Sequence, residues 1–254
     1  MEKGDYVVRL SYNKDIIFRI KEIDNDNYIL EGVFIRLIAD SPIEDLELVL
    51  ENQIREKEEE DNLYHEQIIN QIKKKSGYLL GKILHIDGDK KYLDKCMKLY
   101  NDVGIYAKGY YLDEKDFENK ILEFMQDYNP DIVVITGHDS YNKRGLRELN
   151  NYVNSINFFK AVKKIRNKFS KDDVLIIAGA CQSNFEALIA AGANFATSKE
   201  RVNIHAFDPS IIAIKASVTP FNRIINIKDI FNFSLIKGEG IGGIESYGKM
   251  RLLI

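Results

Sequence analysis

The stretch that decides the fold spans residues 172–192, with the sequence Asp172-Asp-Val-Leu-Ile-Ile-Ala-Gly-Ala-Cys181-Gln-Ser-Asn-Phe-Glu-Ala-Leu-Ile-Ala-Ala-Gly192. Residues 174–178 form a short apolar run, which is typical of a strand buried on both faces of a parallel sheet. The Gly-Ala pair that follows permits a tight turn. Ser183 or Asn184 can cap the next helix. Cys181 is therefore predicted between a strand end and a helix start, where open α/β sheets place their ligand sites.

A second segment has the same construction, Asp131-Ile-Val-Val-Ile-Thr-Gly-His138-Asp-Ser-Tyr141. Two parallel strands would deliver His138 and Cys181 to one edge of the sheet. A thiol reacts at neutral pH when a base is close, and imidazole is a common choice. Taken alone, Cys181 fits better as a small buried apolar residue, which is the usual state of a free cysteine. The matching histidine segment is what favours a nucleophile.

Composition narrows the class of protein. The chain has 254 residues, 45% of them hydrophobic, with a net charge of −3, which predicts one or two globular domains and gives no reason to expect nucleic acid. Two cysteines far apart do not make a secreted disulfide framework, so a reducing cytoplasm is expected. The start carries no apolar signal core, and no apolar run is long enough for a membrane. Four histidines and two cysteines match no zinc spacing, so neither metal nor cofactor is expected.

The pattern along the chain predicts three parts. Residues 1–42 contain four strand-like runs, the last at 33–38, and form a small SH3-like all-β unit that serves as a docking module or a structural lid. Residues 43–76 form a charged helical connector. Residues 77–254 alternate strands and helices, which predicts an α/β domain with a parallel sheet and helices on both faces. The glycine-rich stretch Lys237-Gly-Glu-Gly-Ile-Gly-Gly-Ile244 is expected to be a flexible flap, because no βαβ context surrounds it.

A family resemblance rests on two blocks, Ile135-Thr-Gly-His-Asp139 and Gly179-Ala-Cys-Gln-Ser183. Both resemble the YabG family of sporulation-specific proteases. A histidine strand followed by a cysteine strand also resembles the caspase–gingipain–legumain group of cysteine peptidases. The likeness to the YabG family extends over nearly the whole chain, through residues 4–9, 36–40, 190–196, 201–206 and 219–221.

This resemblance implies a parallel-sheet sandwich of caspase/gingipain-like type and a cysteine endopeptidase with Cys181 as nucleophile and His138 as its partner. Backbone amides of Asp139 and Cys181 would hold the oxyanion, although the wider peptidase group has glycine where Asp139 stands. Cleavage would follow basic residues, chiefly arginine. A pocket for arginine needs a carboxylate, and the substrate-binding candidates near the site edge are Asp139, Glu186, Asp208 and His205.

By the same resemblance, the substrates are spore coat and cortex-maturation proteins in the developing spore or mother cell, and the protein is associated with the spore coat.

His205 or Asp208 could alternatively orient His138, or be satisfied polar groups at a strand end. Two other interpretations remain open. One is a non-catalytic scaffold in coat assembly. The other is a cysteine-dependent amidase, which is disfavoured because only His205 follows Cys181 as a possible base.

Overall fold

A computed structural model describes residues 1–72, 77–226 and 240–253 of the chain. The amino-terminal part forms an antiparallel sheet of five strands in the spatial order β4-β3-β2-β1-β5. Its strands are β1 (Tyr6–Arg9), β2 (Phe18–Asp24), β3 (Asn27–Gly32), β4 (Ile38–Pro42) and β5 (Leu46–Leu48). One helix, α1 (Glu51–Gln71), leads out of this sheet.

The second sheet has six strands in the order β12-β11-β10-β9-β7-β8. They are β7 (Ile83–Asp87), β8 (Ala107–Tyr111), β9 (Ile132–Thr136), β10 (Leu175–Ala178), β11 (Phe195–Thr197) and β12 (Ile241–Gly243). The first five strands along the chain pair in parallel, and β12 joins the edge antiparallel to β11. Two short strands, β6 (Tyr78–Leu79) and β13 (Arg251–Leu252), pair separately.

Helices cover both faces of the second sheet, as the alternating pattern predicts. They are α2 (Lys90–Asp102), α3 (Phe117–Tyr128), α4 (Ser155–Arg166), α5 (Phe185–Ala191) and α6 (Asp208–Val218). Successive residues of β9 divide between the two cores: Ile132 and Val134 pack with α2 and α6, whereas Val133 and Ile135 pack with α3, α4 and α5. This alternation follows from the two-residue period of a strand, and it confirms an α/β domain built on a mostly parallel sheet.

Three details differ from the sequence prediction. The strand predicted at residues 33–38 is wrong, because only Ile38 belongs to a strand, while Ile35 and Leu37 form isolated bridges with His205 and Asp139, which lie outside the strands of the second sheet. Pro42 ends β4, but the first sheet continues with β5, which pairs with β1. The predicted flap is wrong for residues 241–243, which form β12. Residues 237–239 of that stretch lie outside the described residues.

The apolar side of the first sheet packs against the carboxyl edge of the second sheet. A third apolar cluster joins the two parts and includes both Cys181 and Ile204 beside residues of β1, β2 and β3, among them Val7, Phe18, Ile20, Tyr28 and Leu30. The first sheet therefore covers the edge where sequence analysis expects the functional residues. Across the described residues, no helix is both long and apolar enough to cross a membrane.

Candidate active site

His138 and Cys181 lie at the same edge of the second sheet. Strands β9 and β10 run parallel, with Ile135 paired to Ala178. Each candidate residue lies three positions beyond its member of that pair, so the strand register brings both residues to the same level. In the described part of the chain, no hydrogen bond links the imidazole to the thiol.

A strained turn presents Cys181. Gly179 has φ +113°, a conformation that L-residues with a side chain rarely adopt, and a Cβ added there would lie 2.8 Å from Thr197 Oγ1. The next amide, Ala180 N–H, donates to Ser183 Oγ at 2.9 Å. Asn184 then caps α5 by accepting a hydrogen bond from the Ala187 amide. The glycine and the two polar residues therefore fix where the cysteine backbone turns out of the sheet.

The thiol of Cys181 is fully buried in this conformation. The Ile204 amide donates to Sγ at 3.3 Å, and the thiol faces the Ile204 carbonyl at 3.6 Å. Burial raises the pKa of Cys181 to about 12, and backbone hydrogen bonds from Ile204 and Arg36 offset this only in part. The sulfur is therefore a protonated thiol at neutral pH while the first sheet covers it.

Two carboxylates hold the imidazole of His138. Its Nε2 lies 2.8 Å from Asp89 Oδ2 and 3.4 Å from Glu31 Oε1, and its backbone amide donates to Glu114 Oε1 at 2.9 Å. Burial opposes ionisation of Asp89, but the hydrogen bond and charge of His138 lower the pKa of that carboxyl on balance. Asp89 therefore remains ionised beside the ring.

This arrangement sets the role of each ring nitrogen. A carboxylate only accepts hydrogen bonds, so Nε2 must donate to Asp89. The other nitrogen, Nδ1 of His138, is buried and has no hydrogen-bond partner among the described residues. In the neutral ring, Nδ1 is consequently an unpaired acceptor that can take a proton.

Hydrogen bonds hold the side chain of Asp139 in place. Its carboxylate is buried and accepts hydrogen bonds from the hydroxyls of Ser155 at 2.5 Å and Ser183 at 2.9 Å, and from the Asn154 amide at 2.8 Å. Burial raises the pKa of Asp139 to about 6 despite these bonds. The carboxylate is therefore engaged with two serine hydroxyls and a backbone amide.

The remaining substrate-binding candidates are spread around the site. Glu186 lies on the surface and pairs with Arg201 at 2.5 Å. The Asp208 carboxylate is buried at the start of α6 and accepts from the His205 amide at 3.0 Å. The imidazole of His205 pairs with Asp61 at 2.9 Å and borders a cleft of about 710 Å³ between β5 and α1. Glu186 and His205 are thus bonded to other residues within the portion described, whereas the charge of Asp208 acts on Cys181 and helps to raise the pKa of its thiol.

Sequence reasoning missed Asp89 and Glu31, the two carboxylates around His138. Asp89 follows β7, whose carboxyl end lies at the same sheet edge as His138. That shared edge is the sequence feature from which Asp89 could have been predicted. One oxygen from each carboxylate and a nitrogen of His138 lie within 4.8 Å of one another, a grouping that is able to hold a metal ion. Lys21 already neutralises Glu31 at 3.0 Å, and Asp89 is bonded to the imidazole. The three groups therefore form a charged cluster in which Asp89 is hydrogen-bonded to His138 and Glu31 to Lys21.

Comparison with known proteins gives one strong similarity in sequence. The family model described as YabG peptidase U57 matches residues 2–254. The sporulation-specific protease YabG of Bacillus subtilis (strain 168) is 40% identical over 282 aligned positions, covering 98% of this chain and 96% of that protein.

Solved structures give only weak similarities. One, titled as a probable two-component system response regulator/GGDEF domain protein, has a TM-score of 0.31 and 14% identity, covering 44% of this chain and 40% of that one. A second structure, titled as a putative two-component system response regulator/GGDEF domain protein, has a TM-score of 0.32 and 12% identity. The match covers 53% of this chain and 46% of that one. No functional argument follows from likeness at this level.

Proposed function

The chain belongs to the YabG peptidase U57 family, and from that premise we propose that it is a sporulation protease that cleaves peptide bonds with Cys181 and His138. The observation that carries the proposal is the matched position of these two residues on adjacent parallel strands. Support comes from the network at His138, which leaves Nδ1 unpaired within the described ranges. A base with one nitrogen anchored and the other unpaired is what a thiol nucleophile requires.

The proposed reaction is acyl transfer. The thiol of Cys181 passes its proton to His138 Nδ1, and the sulfur attacks the carbonyl carbon of the scissile bond. The C–N bond of the tetrahedral intermediate then breaks as His138 returns the proton to the leaving amine. Water attacks the resulting thioester with His138 as base, which releases the new carboxylate and restores the thiol.

Backbone amides of Asp139 and Cys181 are the proposed donors to the oxyanion. Both belong to the turns that leave the sheet at the site edge, and the Asp139 carboxylate is hydrogen-bonded to Ser155 and Ser183. Loss of one such donor typically costs about 3–4 kcal/mol of transition-state stabilisation.

Asp89 is the proposed positioning residue for His138. Its carboxylate fixes Nε2 as the donor and stabilises the imidazolium that forms during the reaction. The same residue caps α2 by accepting a hydrogen bond from the Tyr92 amide at 2.9 Å. The Asp89 side chain thus contacts both the first turn of α2 and the proposed base, His138.

The finer assignments also belong to this proposal. We propose a caspase/gingipain-like arrangement for the α/β part, an SH3-like identity for the first sheet, and cleavage after arginine. The proposed substrates are spore coat and cortex-maturation proteins of the developing spore, with the enzyme acting in the cytoplasm and associated with the coat. The 40% identity to a sporulation-specific protease over most of both chains supports the setting.

A non-catalytic scaffold is the second candidate, and one observation favours it. Cys181 is fully buried and its pKa is about 12 in this conformation, so the thiol is unreactive until the first sheet moves. The two candidates differ in whether any conformation of the chain cleaves a peptide.

The deciding experiment is hydrolysis of fluorogenic peptides with Arg, Lys, Asp or Asn before the cleaved bond. Wild type is compared with Cys181→Ala, His138→Ala and Arg55→Ala, the last as a control because the Arg55 side chain is exposed. Turnover after arginine that is lost in the first two variants and kept in the third supports the dyad. Turnover that survives Cys181→Ala would rule the mechanism out.

A further inference from the structure

Arg36 is fully buried although it belongs to a connection between two strands of the first sheet. The side chain crosses into the second sheet, where Nη1 donates to Asp87 Oδ1 at 2.8 Å, and neither side chain has any exposed surface. Asp87 is the last residue of β7 and lies two positions before Asp89. The guanidinium group therefore ends at the same sheet edge as the candidate dyad.

The surroundings of Arg36 have the chemistry of a guanidinium receptor. The ring of Tyr92 lies 4.7 Å from the guanidinium carbon. Nη2 lies 3.4 Å from the Ala206 carbonyl and 3.7 Å from Cys96 Sγ. A carboxylate, an aromatic face and a carbonyl are the groups that recognise arginine. Replacing a buried ion pair by apolar residues is often neutral or stabilising, so structural support alone accounts poorly for this pocket.

The backbone around Arg36 runs across the cleft like a bound peptide. Ile35 forms an antiparallel bridge with His205, and Leu37 forms a parallel bridge with Asp139. The Ile38 amide donates to the Asp139 carbonyl at 3.4 Å. In a parallel bridge of this register, the Asp139 amide faces the carbonyl of Arg36. That amide is a proposed oxyanion donor, so the Arg36 carbonyl occupies the place of a scissile carbonyl.

We propose that the pocket formed by Asp87, Tyr92, Cys96 and Ala206 receives the substrate arginine on the amino side of the cleaved bond, and that Arg36 is its internal occupant. This inference rests on the proposed function and adds the residue that selects arginine. Substrate arginine enters only where Arg36 leaves, and departure of this segment also uncovers Cys181. The first sheet therefore acts as a tethered competitive inhibitor.

Asp87 suits this role better than the carboxylates expected from sequence. Asp139 is bonded to Ser155 and Ser183, whereas Glu186 is exposed and pairs with Arg201. The charge of Arg36 lowers the pKa of Asp87 to about 2 although burial opposes ionisation. Asp87 is therefore ionised at neutral pH while a guanidinium group lies beside it.

The first arm of the test measures binding without catalysis. In the Cys181→Ala background, Arg36→Ala leaves a cavity beside Asp87, and the thermal midpoint is followed with ethylguanidine and with its neutral isostere ethylurea. We expect the thermal midpoint to rise saturably with ethylguanidine but not with ethylurea. The rise should be lost when Asp87→Asn is added, and it should be absent when Arg55→Ala, at an exposed position, replaces Arg36→Ala as a control. An equal response to both compounds, or one that survives Asp87→Asn, would overturn the assignment.

The second arm measures selectivity in the active chain. Peptides with arginine or citrulline before the cleaved bond are compared in wild type, Arg36→Met and the double variant Arg36→Met, Asp87→Asn, which removes both buried charges together. Arg36→Met should hydrolyse the arginine peptide faster than wild type by about tenfold or more, because the internal competitor loses its charge. The double variant should lose the preference for arginine over citrulline by on the order of 100-fold or more.

The two arms separate the two ideas. Hydrolysis that keeps its arginine preference without Asp87 overturns the pocket and leaves the peptidase. Absence of hydrolysis in every variant, together with Asp87-dependent binding of ethylguanidine, supports the pocket and counts against the proposed function. If Arg36→Ala does not fold, Arg36→Met fills the space, and the second arm alone decides.

Discussion

The imidazole Nε2 of His138 lies 2.8 Å from Oδ2 of Asp89, a residue 49 positions earlier in the chain. The contact joins the turn after β7 to the turn after β9, two neighbouring strands of the sheet. It leaves the second ring nitrogen unpaired among the described residues. The orientation of the base therefore depends on a strand that carries neither member of the dyad.

Asp89→Asn should lower kcat by on the order of 10²–10⁴-fold with little change in KM. An asparagine amide can donate to Nε2, which leaves the proton on Nδ1 and removes the acceptor for the thiol. Asparagine still caps α2, so the free energy of unfolding should change little. Steady-state kinetics and urea unfolding check this, and Asp89→Glu should restore part of kcat. Equal losses of activity and stability would contradict a positioning role.

Cys181 should be as unreactive as Cys96 in the wild-type chain. Burial raises the pKa of these thiols to about 12 and about 11, so neither is a thiolate at pH 7.5. Arg36→Met should increase the rate at which iodoacetamide labels Cys181 by about tenfold or more, as the covering segment leaves, whereas Arg55→Ala, at an exposed position, should leave that rate unchanged. Peptide mapping by mass spectrometry measures the labelling rate of Cys181 in each variant. An Arg36→Met rate no higher than that of the wild type would contradict a covering role for the segment.

The stability of the chain should carry a pH dependence from Asp139. Its folded pKa is about 6, raised by burial from 3.8, so the folded state binds this proton more tightly than the unfolded state. The contribution is present below about pH 4 and is lost as pH rises through about 6, by up to about 3 kcal/mol. Urea unfolding of wild type and Asp139→Asn between pH 4 and 7 measures the difference. Replacing the exposed Asp26 should show no such trend.

Gly179→Ala should destabilise the fold by about 2–3 kcal/mol and reduce activity further. The substitution adds a Cβ at φ +113° and 2.8 Å from Thr197 Oγ1, so strain and a clash act together. Gly104→Ala is the matched control, because Gly104 has φ +76° with no atom within 4 Å of the added Cβ. It should cost about 1 kcal/mol. Denaturant unfolding measures both losses of stability. Equal losses at the two sites would show that the added Cβ meets no closer packing at Gly179 than at Gly104.

Local patterns were sufficient to predict the framework of the site. The apolar runs that precede His138 and Cys181 are strands in register, and Asn184 caps the following helix. Each of these features depends on residues close in sequence, where strand period and capping chemistry act directly.

The contacts that complete the site join distant parts of the chain and leave no local pattern. Arg36 is 51 residues from Asp87. Its segment has the composition of a strand, although Ile35 and Leu37 form only isolated bridges, to His205 and Asp139. Hydrophobic periodicity reports that such a segment is buried, but not which sheet buries it. The acidic turn Asp87-Gly-Asp89 could have been found by asking which other strand ends at the same edge.

Arg36 and its pocket are parts of one molecule, and this has a consequence for dosage. The closing equilibrium is unimolecular, so dilution of the protein leaves the closed fraction unchanged. A substrate, by contrast, displaces the tethered arginine only through its own concentration or through additional contacts elsewhere on the enzyme. The closing equilibrium would therefore raise the substrate concentration needed for half-saturation by a factor that does not depend on how much enzyme the cell has made.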